Sequence, residues 1–187
     1  MKVNPSIIQS KDYSNARIDE LEYEYTLFSN CDFTNARLNG VEFIDCTFEN
    51  CNLSNASLDG ASIKNCTFIE CKMLGVSFSQ TRDFGFEMHA QNCNLSFVSF
   101  DKKKVYKSTF KNCNMEGVNF TQADLSKSKI SSCNLLDALF NTTNLSGVDF
   151  RTNTNFLIHP EANNIKKARF QSQDLHRLLA GYNIIVD

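Results

Sequence analysis

No tryptophan, only two prolines and only seven glycines stand among the 187 residues. So few turn-forming residues argue against a turn-rich sandwich and against a low-complexity chain. No apolar run approaches the ~18 residues that a spanning helix needs, and the first residues lack the long apolar stretch of a secretory signal. The expectation is a cytoplasmic protein without membrane contact. Also missing are a C-x-x-C pair, a glycine-rich phosphate loop, G-x-S-x-G and H-E-x-x-H. The three histidines, His89, His159 and His176, are scattered. No catalytic site, cofactor or metal is expected.

What is abundant is periodic. From Tyr13 to Phe78 the chain runs through 14 units of five residues without a slip. Each unit centres on a large apolar residue, as in Phe33, Leu38, Phe43, Phe48, Leu53, Leu58, Ile63, Phe68, Met73 and Phe78. Two positions earlier stands a compact one: Cys31, Ala36, Val41, Cys46, Cys51, Ala56, Ala61, Cys66, Cys71, Val76. A period of five fits neither a helix nor a strand, and a short internal period marks an array. All eight cysteines, the others being Cys93, Cys113 and Cys133, fall at the compact position. That placement predicts small, buried, reduced thiols and not a disulfide framework or a zinc site. Two positions after the centre, Asn and Gly recur (Asn30, Asn35, Gly40, Asn50, Asn55, Gly60, Asn65, Gly75), as a corner with left-handed backbone would favour.

The frame slips once. Between Phe78 and Leu95 lie three units plus two extra residues, and a second frame then runs from Leu95 to Phe150. In the slipped segment Phe84, Phe86, Met88 and Ala90 alternate with Gly85, Glu87 and His89, which predicts a bulged or extended piece with the first set inward. Lys103 occupies a compact position, where a buried unpaired ammonium is costly. The expectation is a locally open corner or a side chain that snorkels out. Regularity lapses again after Phe150 and returns at Ile165 and Phe170. Residues 171–181 then predict a short helix, with Ser172 or Asp174 near its start and Gly181 just past its end.

Units such as Ala123-Asp124-Leu125-Ser126-Lys127, Cys51-Asn52-Leu53-Ser54-Asn55 and Cys133-Asn134-Leu135 resemble the loose A-[D/N]-L-x-x unit of the pentapeptide-repeat proteins. The resemblance spans roughly residues 8 to 170. It implies an all-β, right-handed quadrilateral β-helix, each unit forming one side of a square and four making a coil. Positions 20 apart should then be chemically alike. Cys31, Cys51 and Cys71 obey this, as do Cys46 and Cys66, and Phe100, Phe120 and Phe140. With the two-residue insertion subtracted, Cys93, Cys113 and Cys133 extend the first column to six. About eight coils spaced ~4.8 Å apart make a rod ~40 Å long. The expected domains are the β-helix, 1–170, and a C-terminal helix and tail, 171–187, that caps the open end.

A core filled with Phe, Leu and Cys leaves function to the surface. Residues 1–60 carry 10 acidic and 4 basic side chains, and residues 61–130 carry 6 and 10. The acidic group Asp19, Glu20, Glu22, Glu24, Glu42 and Asp45 lies on the first two coils. The basic group Lys102, Lys103, Lys104, Lys107, Lys111, Lys127 and Lys129 follows three to four coils later. Within the family, the chain resembles the quinolone-resistance and microcin-immunity type. That resemblance implies a DNA-mimicking rod that binds DNA gyrase or topoisomerase IV and forms a homodimer through its C-terminus. Leu175, Leu178, Leu179, Ile184 and Ile185 would form the dimer interface. The competing expectation is a scaffold for another protein partner. Direct nucleic-acid binding is not expected, since Tyr106 alone accompanies the basic patch as an aromatic platform.

Overall fold

A computed structural model describes residues 6–182 and 184. The chain winds as a β-solenoid in which each side of the square is a short extended piece. The strands are β1 (Ser6–Gln9), β2 (Glu22–Glu24), β3 (Thr26–Ser29), β4 (Glu42–Ile44) and β5 (Thr47–Glu49). They continue with β6 (Ser62–Lys64), β7 (Cys66–Ile69), β8 (Met88–Gln91), β9 (Thr109–Lys111) and β10 (Lys129–Ser131). One wall is a seven-stranded sheet in the order β1-β3-β5-β7-β8-β9-β10, and a second wall starts as the three-stranded sheet β2-β4-β6. All named strand pairs are parallel, as they must be when equivalent pieces of successive turns stack. The other two walls are held by single parallel bridges, such as Asp32↔Asn52 and Arg37↔Ser57.

Partners differ by 20 residues on every wall, except across the insertion, where Cys66 meets Met88 and Lys72 meets Asn94. Six turns separate β1 from β10, and the bridges Asn134↔Thr154, Asn144↔Asn164 and Asp149↔Arg169 carry the winding further. The irregular stretch after Phe150 therefore keeps the pitch. Phe156 and Ile158 stand in for the missing centres, both fully buried, and a 3-10 turn at Pro160–Ala162 follows.

The five-residue period has a simple cause. The centre and the compact residue both point inward, and the corner between units is a tight turn. Ala36 N–H donates to Phe33 O at 2.9 Å while Asn35 takes φ +55. All eight corner residues named from the sequence have positive φ. Inside, aromatic rings stack from coil to coil: Phe28 on Phe48 at 4.7 Å, Phe48 on Phe68 at 4.9 Å, Phe100 on Phe120 at 5.3 Å. Each buried ring contributes roughly 1.5–3 kcal/mol relative to exposure. Asparagines stack outside as well, with Asn35 Nδ2 donating to Asn15 Oδ1 at 3.1 Å and Asn112 Nδ2 to Asn92 Oδ1 at 2.8 Å.

The cysteines do more than fill space. All eight are buried and unbridged, and each Sγ donates to a carbonyl of the preceding coil at 3.2–3.6 Å. The acceptor lies 23 residues earlier, for example Phe43 O for Cys66, and 25 earlier for Cys93 because of the insertion. Where the Cys113–Cys133 column runs out of cysteine, Asn153 Nδ2 bonds to Ile130 O, and in the column two sides away Thr143 Oγ1 and Asn163 Nδ2 bond to the carbonyls of Phe120 and Phe140. The compact position thus takes either a small apolar residue such as Ala36 or Val41, or a small donor that bonds a carbonyl of the preceding coil.

Two expectations are corrected at the insertion. Lys103 neither opens its corner nor snorkels out: its side chain is 1% exposed. Its ammonium donates to Thr81 O at 2.5 Å, pairs with Asp83 Oδ1 at 2.8 Å and lies 4.8 Å from the centre of the Phe86 ring. The extra residues build the receptacle for a cation that the regular coil has no room to satisfy. The predicted parity holds for Phe86, Met88 and Ala90, which are buried, but Phe84 faces solvent. The reason is a turn closed by Phe86 N–H on Asp83 O at 3.2 Å, with Gly85 at φ +74 in the position that favours glycine.

The C-terminal segment is helical but broken: a 3-10 turn (Ser172–Asp174), α1 (His176–Leu179) and a second 3-10 turn (Ala180–Tyr182). No side chain caps α1. Gly181 lies inside the last turn and not in a left-handed C-terminal position. A Cβ there would stand 2.8 Å from His159 Nδ1, so a larger residue would have to displace that exposed imidazole.

Candidate interaction surfaces

The acidic residues singled out from the sequence do share one region. Glu22 and Glu24 flank Tyr23 on β2, and Glu22 stacks on Glu42 of β4. Asp19, Glu20, Glu22 and Glu24 are exposed, and Glu42 and Asp45 are partly covered. Side chains of alternate strand residues point to the same face, which places Glu22, Glu24 and Glu42 on one outer wall.

That wall changes sign within two turns. Glu42 is held by Lys64 at 3.0 Å and by Arg82, which lies 40 residues further along the chain. The hydrogen bond from Lys64 leads the causes that hold the Glu42 carboxyl below its ordinary value. Asp45 accepts from Asn65 Nδ2 at 2.5 Å and serves partly as a corner residue, at φ +52. Among the described residues no cation pairs with Asp19, Glu20, Glu22 or Glu24, and these four make up the acidic face.

The later coils carry the opposite sign. Lys107 and Lys127 are exposed on one edge, and Lys111, Lys129 and Arg151 stand on the adjoining seven-stranded wall and its continuation. An open cleft of about 270 Å³ between His89, Thr109, Lys111 and Lys129 follows this wall. Asp149 interrupts it, but Arg151 grips the carboxylate through Nε at 2.9 Å and Nη2 at 2.7 Å. That fork pulls the Asp149 carboxyl down to about 2.

At the C-terminal end the predicted residues divide. Leu178 is buried and joins the solenoid core, as a cap requires. Leu175 and Ile184 are about half exposed, Leu179 is intermediate, and Ile185 lies outside the described residues. Beside them, Leu136, Leu139, Phe156, Leu157 and Arg177 line a cleft of about 580 Å³. Arg177 is spread over the Phe156 ring at 5.6 Å and bonds Asp174 at 3.2 Å.

Among the described residues no helix is long and apolar enough to cross a membrane, and no group of three or more His, Cys, Asp or Glu is spaced to hold a metal ion. Sequence reasoning missed two features of the surface. One is the pairing of Glu42 with Arg82. The other is the outward Phe84, for which the Asp83-Phe84-Gly85 run was the available signal.

Residues 41–82 match the family model described as a pentapeptide repeat region, and residues 106–141 and 119–156 match that for pentapeptide repeats. A comparison with curated protein sequences found no match. Among solved structures, a trypsin-treated variant of QnrB1, a plasmid-mediated fluoroquinolone resistance protein, is similar at TM-score 0.69 and 20% identity. The match covers 96% of this chain and 99% of that one. A second trypsin-treated QnrB1 variant gives TM-score 0.65 at 19% identity, with 98% of each chain covered. At such identity the likeness establishes the fold.

Proposed function

This chain is a pentapeptide-repeat protein, and on that premise we propose that it is a non-enzymatic protein-binding rod that modulates or protects DNA gyrase or topoisomerase IV. The observation that carries the reading is the exposed acidic face formed by Asp19, Glu20, Glu22 and Glu24 at one end of a rigid solenoid. Glu42 and Asp45 extend that face while themselves held by cationic or amide partners. A charged wall of this kind occupies a basic groove built for duplex phosphates. The fold shared with a fluoroquinolone resistance protein supports the same reading. Residues 1–170 form the rod and residues 171–187 the cap and dimer module. Leu175, Leu179, Ile184 and Ile185 would bring two copies together in the cytoplasm, and Leu178 would hold the module to its own solenoid.

The test is a gyrase supercoiling and drug-induced cleavage assay with purified protein. The expected result is altered supercoiling or protection from cleavage, reduced by Glu22→Lys with Glu24→Lys. No effect at micromolar concentration sinks the reading. Truncation after Phe170 should give a monomer in sedimentation, or an aggregate if capping dominates. An unchanged dimer would place the interface elsewhere.

A second reading is a scaffold for a different protein. It is favoured by the short reach of the acidic face, which Lys64 and Arg82 end at Glu42, and by a net charge of only −2. Affinity capture that recovers only topoisomerase subunits would count against it.

A further inference from the structure

The segment 81–87 is a rigid protrusion. Its base is pinned by the buried Lys103, which engages Thr81 O, Asp83 and the Phe86 ring, and Phe86 in turn bridges Lys64. Its tip presents Phe84 at 87% exposure, the most exposed large apolar side chain among the described residues. Next to it lies an open cleft of about 370 Å³, lined by Asp83, Phe84, Gly85, Phe86, Glu87, Lys104, Tyr106 and Lys107. Tyr106 is fixed at the back: its hydroxyl donates to Asp124 Oδ2 at 3.2 Å and Lys127 Nζ stands 5.2 Å from its ring centre.

The charges around the cleft are not equally free. Asp83 is committed to Lys103, and Glu87 faces His89 Nε2 at 3.4 Å. Lys104 and Lys107 are exposed, and neither has a carboxylate within ion-pair distance among the described residues. The cleft therefore offers an apolar shelf, Phe84 with Tyr106, beside two unneutralised ammonium groups.

We propose that this cleft is a docking site for an extended acidic peptide segment of a partner protein. One large apolar side chain of the segment lies between Phe84 and Tyr106, and flanking carboxylates meet Lys104 and Lys107. Charge complementarity selects an acidic partner, and the aromatic pair selects an apolar anchor within it. A continuous phosphate backbone fits less well, because it brings no apolar side chain to the shelf of Phe84 and Tyr106. The site is distinct from the acidic face of the first coils and does not depend on gyrase being the partner.

The experiment uses the full chain and a fluorescein-labelled peptide of Asp and Glu flanking one central Leu, read by fluorescence anisotropy. Binding should weaken about tenfold when the peptide Leu is replaced by Ala, and about tenfold for Phe84→Ala, as expected for loss of one anchor. Phe84→Tyr should retain it, and Lys104→Glu with Lys107→Glu should abolish it. All these side chains are exposed, so unchanged circular dichroism is expected. In NMR, amides of residues 83–87 and 104–107 should shift on titration. Absence of binding at millimolar peptide overturns the proposal, as does equal binding of the Leu-free peptide or an unaffected Phe84→Ala variant. Tighter competition by duplex DNA or by phosphatidylserine vesicles would overturn it in favour of a general polyanion surface. Self-association that Phe84→Ala removes would overturn it in favour of a second copy.

Discussion

The Lys103 ammonium lies 2.8 Å from the Asp83 carboxylate, with the lysine side chain almost wholly buried and the aspartate largely exposed. The asymmetry decides which partner is dispensable. Asp83→Asn leaves an ammonium in the core with only Thr81 O and the Phe86 ring as partners. Removing one member of a buried pair costs about 3–5 kcal/mol, and solvent access to Asp83 reduces that to roughly 2–3. Lys103→Met keeps the volume and leaves a carboxylate that water can solvate, so it should cost about 1 kcal/mol or less. Urea denaturation of the two variants checks the order; a costlier Lys103→Met refutes this account.

The same pair has a pH signature. Burial pulls the Lys103 pKa below its ordinary value of 10.5, and Asp83 opposes that pull. The folded state then gives up its proton at lower pH than the unfolded state, so this group contributes more stability as pH rises through that window. Without Asp83 the depression deepens, and the deficit of Asp83→Asn should shrink on going from pH 7 toward pH 10. A deficit independent of pH would show that Lys103 is neutral throughout or is relocated to solvent.

The eight thiols should be silent in the native protein. All are buried, which closes them to reagents even where hydrogen bonds from neighbouring thiols pull Cys51 and Cys133 down, and burial pushes Cys66 up to about 12. Thiolate, not thiol, is the reactive species. With a chromogenic disulfide reagent at pH 8, no cysteine should react until denaturant unfolds the chain, and all eight should then react together. Prompt titration of even one equivalent would contradict the packing described. Replacing Cys113 by Thr should be tolerated at roughly 1 kcal/mol or less, as Thr143 fills the equivalent slot with a 2.8 Å bond to Phe120 O. Cys113→Ala, which leaves Ala90 O without that donor, should cost more.

Most of the winding was legible in the chain because inward residues recur at two fixed positions of every five, and equivalent residues recur at 20. Cys31 and Cys133 could be assigned to one column from spacing alone. The insertion was not legible in the same way. Phe84 shares parity with Phe86, yet Gly85 turns the chain between them and reverses which way Phe84 faces. Asp83 and Lys103 stand 20 apart, so spacing alone could have named them as neighbours. The two extra residues make Thr81, 22 back, the register partner of Lys103, and only the structure shows that both engage the ammonium. The acidic face was visible as composition, but its limit at Glu42 depends on Arg82, which lies inside that same slipped segment. At the far end, Leu175 and Leu178 looked alike on a helical wheel, and only packing separates a buried contact from an exposed one.

Asp149 offers a local test of the basic wall. Its carboxyl lies near 2 chiefly because Arg151 donates two parallel bonds to it. The folded value is depressed, so its contribution to stability is present above about pH 4 and is lost as pH falls toward 2. The pair is solvent-exposed, which keeps the contribution small and sensitive to salt. NMR titration of the side-chain carboxyl should show a midpoint near 2 that returns toward the ordinary aspartate range in Arg151→Gln. A midpoint that stays low in that variant would assign the shift to Arg169 or the backbone instead.

Phe97 and Gly117 are stacked corner residues of which the glycine suits its backbone conformation and the phenylalanine does not. Both corners have positive φ, +59 and +62, a conformation that costs a bulky L-residue about 1–2 kcal/mol and glycine almost nothing. The Phe97 ring, itself 60% exposed, lies flat across Gly117, with ring carbons 2.6 Å from where a Cβ would stand. Gly117→Ala must therefore bear the backbone strain and also displace the ring, about 2 kcal/mol in all. In Phe97→Ala the ring is already gone, so the second substitution should cost only its backbone share. A double-mutant cycle by thermal or urea unfolding should then give a coupling of roughly 0.5–1.5 kcal/mol. Additive effects would mean that the ring moves away freely and that Gly117 is required by φ alone.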